Sequence, residues 1–243
     1  MNREAQAAVL FLIGGALLRA GFTDLYLRYV KAGLRPLLLV AGAVLIAAAI
    51  ATVWYELRRA RASRKIQSER EHHNRRGHAE PRVSWLLLLP LFAIILVAPP
   101  ALGSYSAVRT GTALQPPWGF PVLRAGDPLQ LSVADYAGRA VYDHGRSLRD
   151  RKIKITGFIA LDRSGIPYLV RMTLSCCAAD AQPIKIGLSG QTPPVLQPDT
   201  WVEVTGTYTS RQTKDPVNDG VIPFLNVSKA RPVPAPHNPY DER

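Results

Sequence analysis

Hydrophobic and polar positions divide the chain into two unlike halves. Residues 1–100 carry three long apolar stretches separated by charged segments, whereas beyond residue 100 the apolar positions come in short runs that alternate with polar ones. The first stretch runs from Ala5 to about Leu27, but its strictly apolar part, Ala7 to Leu18, falls short of the roughly 20 residues that a span needs. Crossing therefore brings Arg19 and Asp24 near or within the membrane boundary. The second stretch, Leu34 to Tyr55, is charged only at Arg35 and ends in Trp54-Tyr55, which suits an interfacial aromatic belt. The third, Val83 to Leu102, contains Pro90 and Pro99-Pro100, so a kink and an early stop are expected. This pattern predicts two transmembrane helices over 1–56, a basic loop over 57–82 and a third span over 83–102. A cleaved signal peptide is the rival reading of the first stretch; no small-x-small site follows Leu18 to support it.

The second half begins with a Pro/Gly-rich tether, 103–128, that holds Trp118 and Phe120. Ser132 is an N-cap candidate for a short amphipathic helix over VADYAGRAVYD. Strand patterns follow: RKIKITGFIA (151–160), YLVRMTL (168–174), IKIGL (184–188), TWVEVTGTYT (200–209) and VIPFLNV (221–227). Ile153, Ile155 and Gly157 share one face, Trp201 and Glu203 oppose Val202 and Val204, and Pro223 argues for an edge strand. Five short strands with glycine near the middle of two of them predict a small five-stranded OB-like barrel over 129–230, followed by a disordered tail, 231–243. A β-sandwich fragment is the alternative. The fold class is a membrane α-helical anchor plus an all-β extracytoplasmic domain.

Charge sets the expected topology. The formal net charge is +12, and Glu56 to Arg82 alone holds nine Lys/Arg against four Glu. The positive-inside bias puts that loop in the cytoplasm, the N-terminus with it, and the C-terminal domain outside a bacterial cell membrane. Basic density beside apolar segments answers to the lipid membrane, and the strands lack the aromatic interleaving that base stacking needs, so nucleic acid is not an expected partner. His72, His73 and His78 cluster in the loop, where weak metal binding competes with a solvated basic linker that meets anionic lipid.

Candidate chemistry is sparse. Arg19 and Asp24 in the first span, with Gly14 and Gly15 among alanines, form a surface that can pack on a partner helix, although Arg19 can equally snorkel to the interface. The only cysteines are adjacent, in Ser175-Cys176-Cys177-Ala178-Ala179-Asp180. Three readings stand side by side. The two thiolates and Asp180, with His144 as a further candidate ligand, bind zinc or another soft metal ion; they close a strained vicinal disulfide; or both are small buried apolar residues, which would make Cys177→Ser destabilising. No triad, carboxylate dyad or phosphate loop is present, so the chain is not read as an enzyme, and no organic cofactor is expected.

The runs DRKIKITGFI, YLVRMTLSCCAADAQPIKIGLSG and WVEVTGTYT resemble a group of bacterial proteins described as the small subunit of a two-component membrane permease complex, with the double-cysteine motif as its most specific element. The resemblance implies a multi-spanning permease subunit as partner and hints at metal homeostasis. On that footing the chain is an accessory subunit whose extracytoplasmic barrel gates or presents substrate. The alternative is a stand-alone membrane-anchored metal or small-ligand binding or sensing module that uses Cys176-Cys177.

Overall fold

Runs of alanine and leucine without a breaker build two helices, α1 (Arg3–Phe22) and α2 (Arg35–Gln67). The computed structural model describes residues 3–67, 93, 96, 97, 100–123, 125–191 and 197–242. These fall into two units: Met1–Tyr26 with Ala32–Pro100, and Leu27–Lys31 with Ala101–Arg243. Both helices of the first unit are long and apolar enough to cross a membrane. α2 continues past Glu56 because Leu57-Arg58-Arg59-Ala60 are good helix formers, so the basic segment expected as loop starts as helix. The third apolar stretch, apart from isolated positions and its last residues, lies outside the described residues, as do His72, His73 and His78.

The helices of the first unit approach closely where side chains are absent. A Cβ on Gly14 would lie 2.8 Å from Ile46 Cγ1 and 3.0 Å from the Gly42 carbonyl, so Gly14 is spent on packing within the chain and is not available to a partner. Gly15 has open space around it. The Nε of Arg35 donates to the Gly21 carbonyl at 2.9 Å and satisfies an acceptor that the end of α1 leaves without an intrahelical donor. Arg19 and Asp24 are both exposed, and Asp24 opens the 3-10 turn Asp24–Arg28.

The second unit is a closed five-stranded barrel. β1 (Leu129–Leu131) precedes the barrel strands β2 (Ile153–Leu161), β3 (Pro167–Leu174), β4 (Gln182–Gly190), β5 (Trp201–Lys214) and β6 (Val221–Pro232), and β7 (Tyr240–Glu242) follows them. β2 pairs antiparallel with β3, β3 with β4, β5 with β6 and β5 with β2, while β4 and β6 run parallel. One parallel pair between the third and fifth barrel strands gives OB-like connectivity. Strand β2 serves both neighbours by curling at Gly157: Ile153–Phe158 face β5, and Phe158–Leu161 face β3. A Cβ at Gly157 would stand 2.8 Å from the Val170 carbonyl, so only glycine lets the strands meet there.

Alternation fills the interior. Ile153, Ile155, Ile184, Ile186, Val202, Val204 and Leu225 pack together, closed by α4 (Val133–Tyr142) through Val133, Tyr136, Ala137 and Ala140. Ser132 caps that helix by accepting from the Asp135 amide at 3.0 Å. The Tyr136 hydroxyl donates to the Phe224 carbonyl at 2.6 Å, and burial pushes its pKa well above the ordinary phenol value. A second cluster, around Phe158, Val170, Met172, Ile222 and Tyr240, packs beneath α3 (Ser104–Arg109) at Ala107.

Three expectations are corrected. Pro223 does not mark an edge: β6 lies between β5 and β4, and its β4 pairing begins only at Phe224, so the missing N–H falls before that ladder. The tail is not disordered over its length. β7 adds to β3 at Met172–Leu174, the stretch beyond β3's register with β2, and Arg171 secures it through the Asn238 and Tyr240 carbonyls at 2.8 and 3.1 Å and Asp241 at 3.4 Å. Finally, the tether is bound down. Thr112 N–H donates to the buried Asp215 at 2.8 Å, and Arg139 holds the Pro121 carbonyl at 2.6 Å beneath the Phe120 ring.

Candidate functional site

Between β3 and β4 the chain must reverse direction, and Cys176-Cys177-Ala178-Ala179-Asp180 does it with a 3-10 turn, Ala178–Asp180. The turn is a capping box with cysteine in the place usually held by serine or threonine: Cys177 Sγ accepts from the Asp180 amide, and the Asp180 carboxylate accepts from the Cys177 amide. That carboxylate also takes the amides of Ser175 at 2.9 Å and Cys176 at 2.8 Å. The Cys176 thiol hydrogen-bonds to Asp180 as well. This contact, first among the causes, pushes the thiol up to about 11 and draws the Asp180 carboxyl down to about 2.

Both thiols are free, Cys176 exposed and Cys177 half-buried. The reading of the pair as small buried apolar residues is thereby overturned: the strand ends at Leu174, and the turn that follows holds both side chains out of the core. No vicinal disulfide is formed. The sulfur atoms and a carboxylate oxygen of Cys176, Cys177 and Asp180 lie within 4.8 Å of one another, so the group can hold a metal ion. His144, at the C-terminus of α4, is not among them. Because Asp180 holds Cys176 protonated at neutral pH, a metal would have to displace that proton.

The backbone of the turn has a partner that the sequence did not suggest. Val30 and Cys177 form an antiparallel bridge, flanked by Lys31 N–H donating to the Cys176 carbonyl at 3.0 Å and Ala178 N–H donating to the Tyr29 carbonyl at 2.7 Å. The Tyr240 hydroxyl donates to the Arg28 carbonyl at 2.9 Å and accepts from Leu102 N–H at 3.2 Å. Residues Leu27–Lys31, which connect α1 to α2, are thus part of the β unit. The capping box could have been read from the Cys-x-x-Asp spacing; the connector could not, because nothing in its composition pairs it with a turn so distant in the chain.

These features define a class: a chain with two apolar helices and an OB-like barrel whose exposed cysteine turn grips the segment between those helices. Residues 123–241, the barrel with its helix cap, match the family model of the DUF1980 C-terminal domain, an uncharacterised family. No curated protein and no solved structure matches the chain.

Proposed function

We propose that the protein is an accessory subunit of a bacterial membrane permease complex. Its helices anchor it in the cell membrane, and its barrel, on the extracytoplasmic side, gates or presents substrate to a multi-spanning partner. One observation carries this reading: the connector between the two apolar helices is built into the β unit by the backbone of the cysteine turn. Ligand contact or a shift at the turn therefore acts directly on the segment that joins the helices. The basic run that begins at Arg58, in the last turns of α2, favours the cytoplasm for that end of the helix and so an external barrel. Exposed Leu37, Val40, Val44 and Ile50 supply an apolar outer face on α2 suited to lipid or to a partner's helices. The chain acts by binding and coupling, without chemistry of its own.

The test is purification of the protein from its native membranes in mild detergent, followed by mass spectrometry. A multi-spanning permease in stoichiometric amount is the expected result, with its recovery reduced in Asp180→Ala, which opens the turn. Recovery of the protein alone overturns the reading.

A second reading is favoured by the Cys176-Cys177-Asp180 donor group: a stand-alone module that binds or senses a soft metal ion such as zinc. Metal quantified on the same sample separates the two. Stoichiometric zinc without a permease supports the second, and its loss in Cys176→Ser assigns it to the turn.

A further inference from the structure

At the end of β3 opposite the cysteine turn, the β2–β3 and β5–β6 turns stand either side of a cavity of about 590 Å³, within the range of small-molecule sites. OB-type barrels bind their ligands at this place, between these two connections. The groups around the cavity differ in how far they are already committed. Lys185, 5 % exposed at its side chain, donates to Asp215 at 2.7 Å and to the Thr110 carbonyl at 2.9 Å, so its charge is answered within the protein. Asp162 uses Oδ1 to accept from the Ser164 and Ile166 amides, both at 2.8 Å, which shapes the turn. Arg109 stacks on the Tyr105 ring and donates to its hydroxyl.

Three polar lining residues remain, the exposed Ser164 at the turn and two that can meet a charged ligand. Tyr168 is only 6 % exposed, yet its hydroxyl has no hydrogen-bond partner among the described residues. Among the described residues the buried side-chain polar atoms without a partner are Arg139 Nε and Arg171 Nε, so the Tyr168 hydroxyl reaches solvent at the cavity, where a ligand can meet it. Arg163, at the tip of the β2–β3 turn, likewise has no ion-pair or hydrogen-bond partner among the described residues. Val108, Ala160 and Val217 supply an apolar side.

We propose that this cavity binds a small organic anion, its carboxylate or phosphate met by Arg163 and the Tyr168 hydroxyl and its apolar part lying against Val108 and Val217. The site is independent of the cysteine turn and of the permease reading. Either can fail without the other.

The full chain in mild detergent is titrated calorimetrically with phenyl phosphate and with benzoate, and with phenol as the neutral control. The expected result is saturable one-site binding of at least one of the two anions and none of phenol. Arg163→Gln, an exposed change that leaves the fold intact, weakens binding about tenfold or more through loss of a charge-assisted contact. Tyr168→Phe, which keeps the ring, weakens it by about 2- to 10-fold. Unchanged melting temperatures confirm that both variants are folded. Absence of saturable binding up to millimolar anion overturns the proposal, as does wild-type affinity in Arg163→Gln.

Discussion

Val30 and Cys177 face each other as a pair whose flanking hydrogen bonds are made by their neighbours, Lys31 to Cys176 and Ala178 to Tyr29. In an antiparallel pair of this non-hydrogen-bonded kind the Cα atoms sit about 4.5 Å apart, within disulfide range. Val30→Cys in a Cys176→Ser background should therefore form a disulfide with Cys177 under mild oxidation, read as a linked peptide pair by mass spectrometry of the non-reduced protein. Failure to link under conditions that oxidise the thiols elsewhere would show that the connector does not lie on the turn.

The place of half-buried Cys177 at the cap of the turn, outside the core, reverses the expectation that Cys177→Ser is destabilising. Serine is the preferred residue at that cap, so Cys177→Ser should leave stability within about 0.5 kcal/mol of the wild type. Cys177→Ala, which removes the acceptor for the Asp180 amide, should cost about 0.5–2 kcal/mol. Denaturant unfolding of the two variants side by side decides it.

Asp180 gives the turn a pH dependence with a definite sign. Its folded pKa is depressed to about 2 from the ordinary carboxyl value, so the stabilisation is fully present above that ordinary value near pH 4 and is lost as pH falls toward 2. Amide resonances of Ser175 and Cys176 should titrate with a midpoint near 2. A midpoint near 4 would mean that the carboxylate does not accept from them. The Cys176 thiol, pushed up to about 11, should alkylate slowly at pH 7.5, and Asp180→Asn should speed it.

Two ion pairs of unequal burial should behave differently. Lys185→Met leaves Asp215, fully buried, without its cation and should cost about 3–5 kcal/mol. Lys154→Ala removes a more exposed pair with Glu203 at 3.7 Å and should cost about 0–1 kcal/mol. Equal effects on unfolding would contradict the burial of the first pair.

Topology has its own test. A reporter fused after Arg243 should read as extracytoplasmic, since the basic run that starts at Arg58 near the end of α2 favours the cytoplasm. A cytoplasmic signal would place the barrel, and with it the permease reading, on the wrong side of the membrane.

Periodicity alone determined much of this protein. Unbroken apolar runs can bury their surface only as helices in a bilayer or a core, and alternation at Ile153-Ile155 and Val202-Val204 admits only a strand with one buried face. Ser132 announced its helix because an N-cap is a contact between residues three apart. Tertiary structure decided whatever depended on contacts between distant segments. Pro223 reads as an edge residue until the barrel closes and leaves no edge. Tyr240-Asp241 reads as tail until Arg171 holds it. Gly14 reads as a partner surface until α2 occupies it. The cysteine pair showed where chemistry was available, but its exposure, its hold on the helix connector and the open hydroxyl of Tyr168 at the other end of β3 arise only once the chain has closed on itself. Backbone amides and carbonyls take partners according to position in space, and composition does not encode that position.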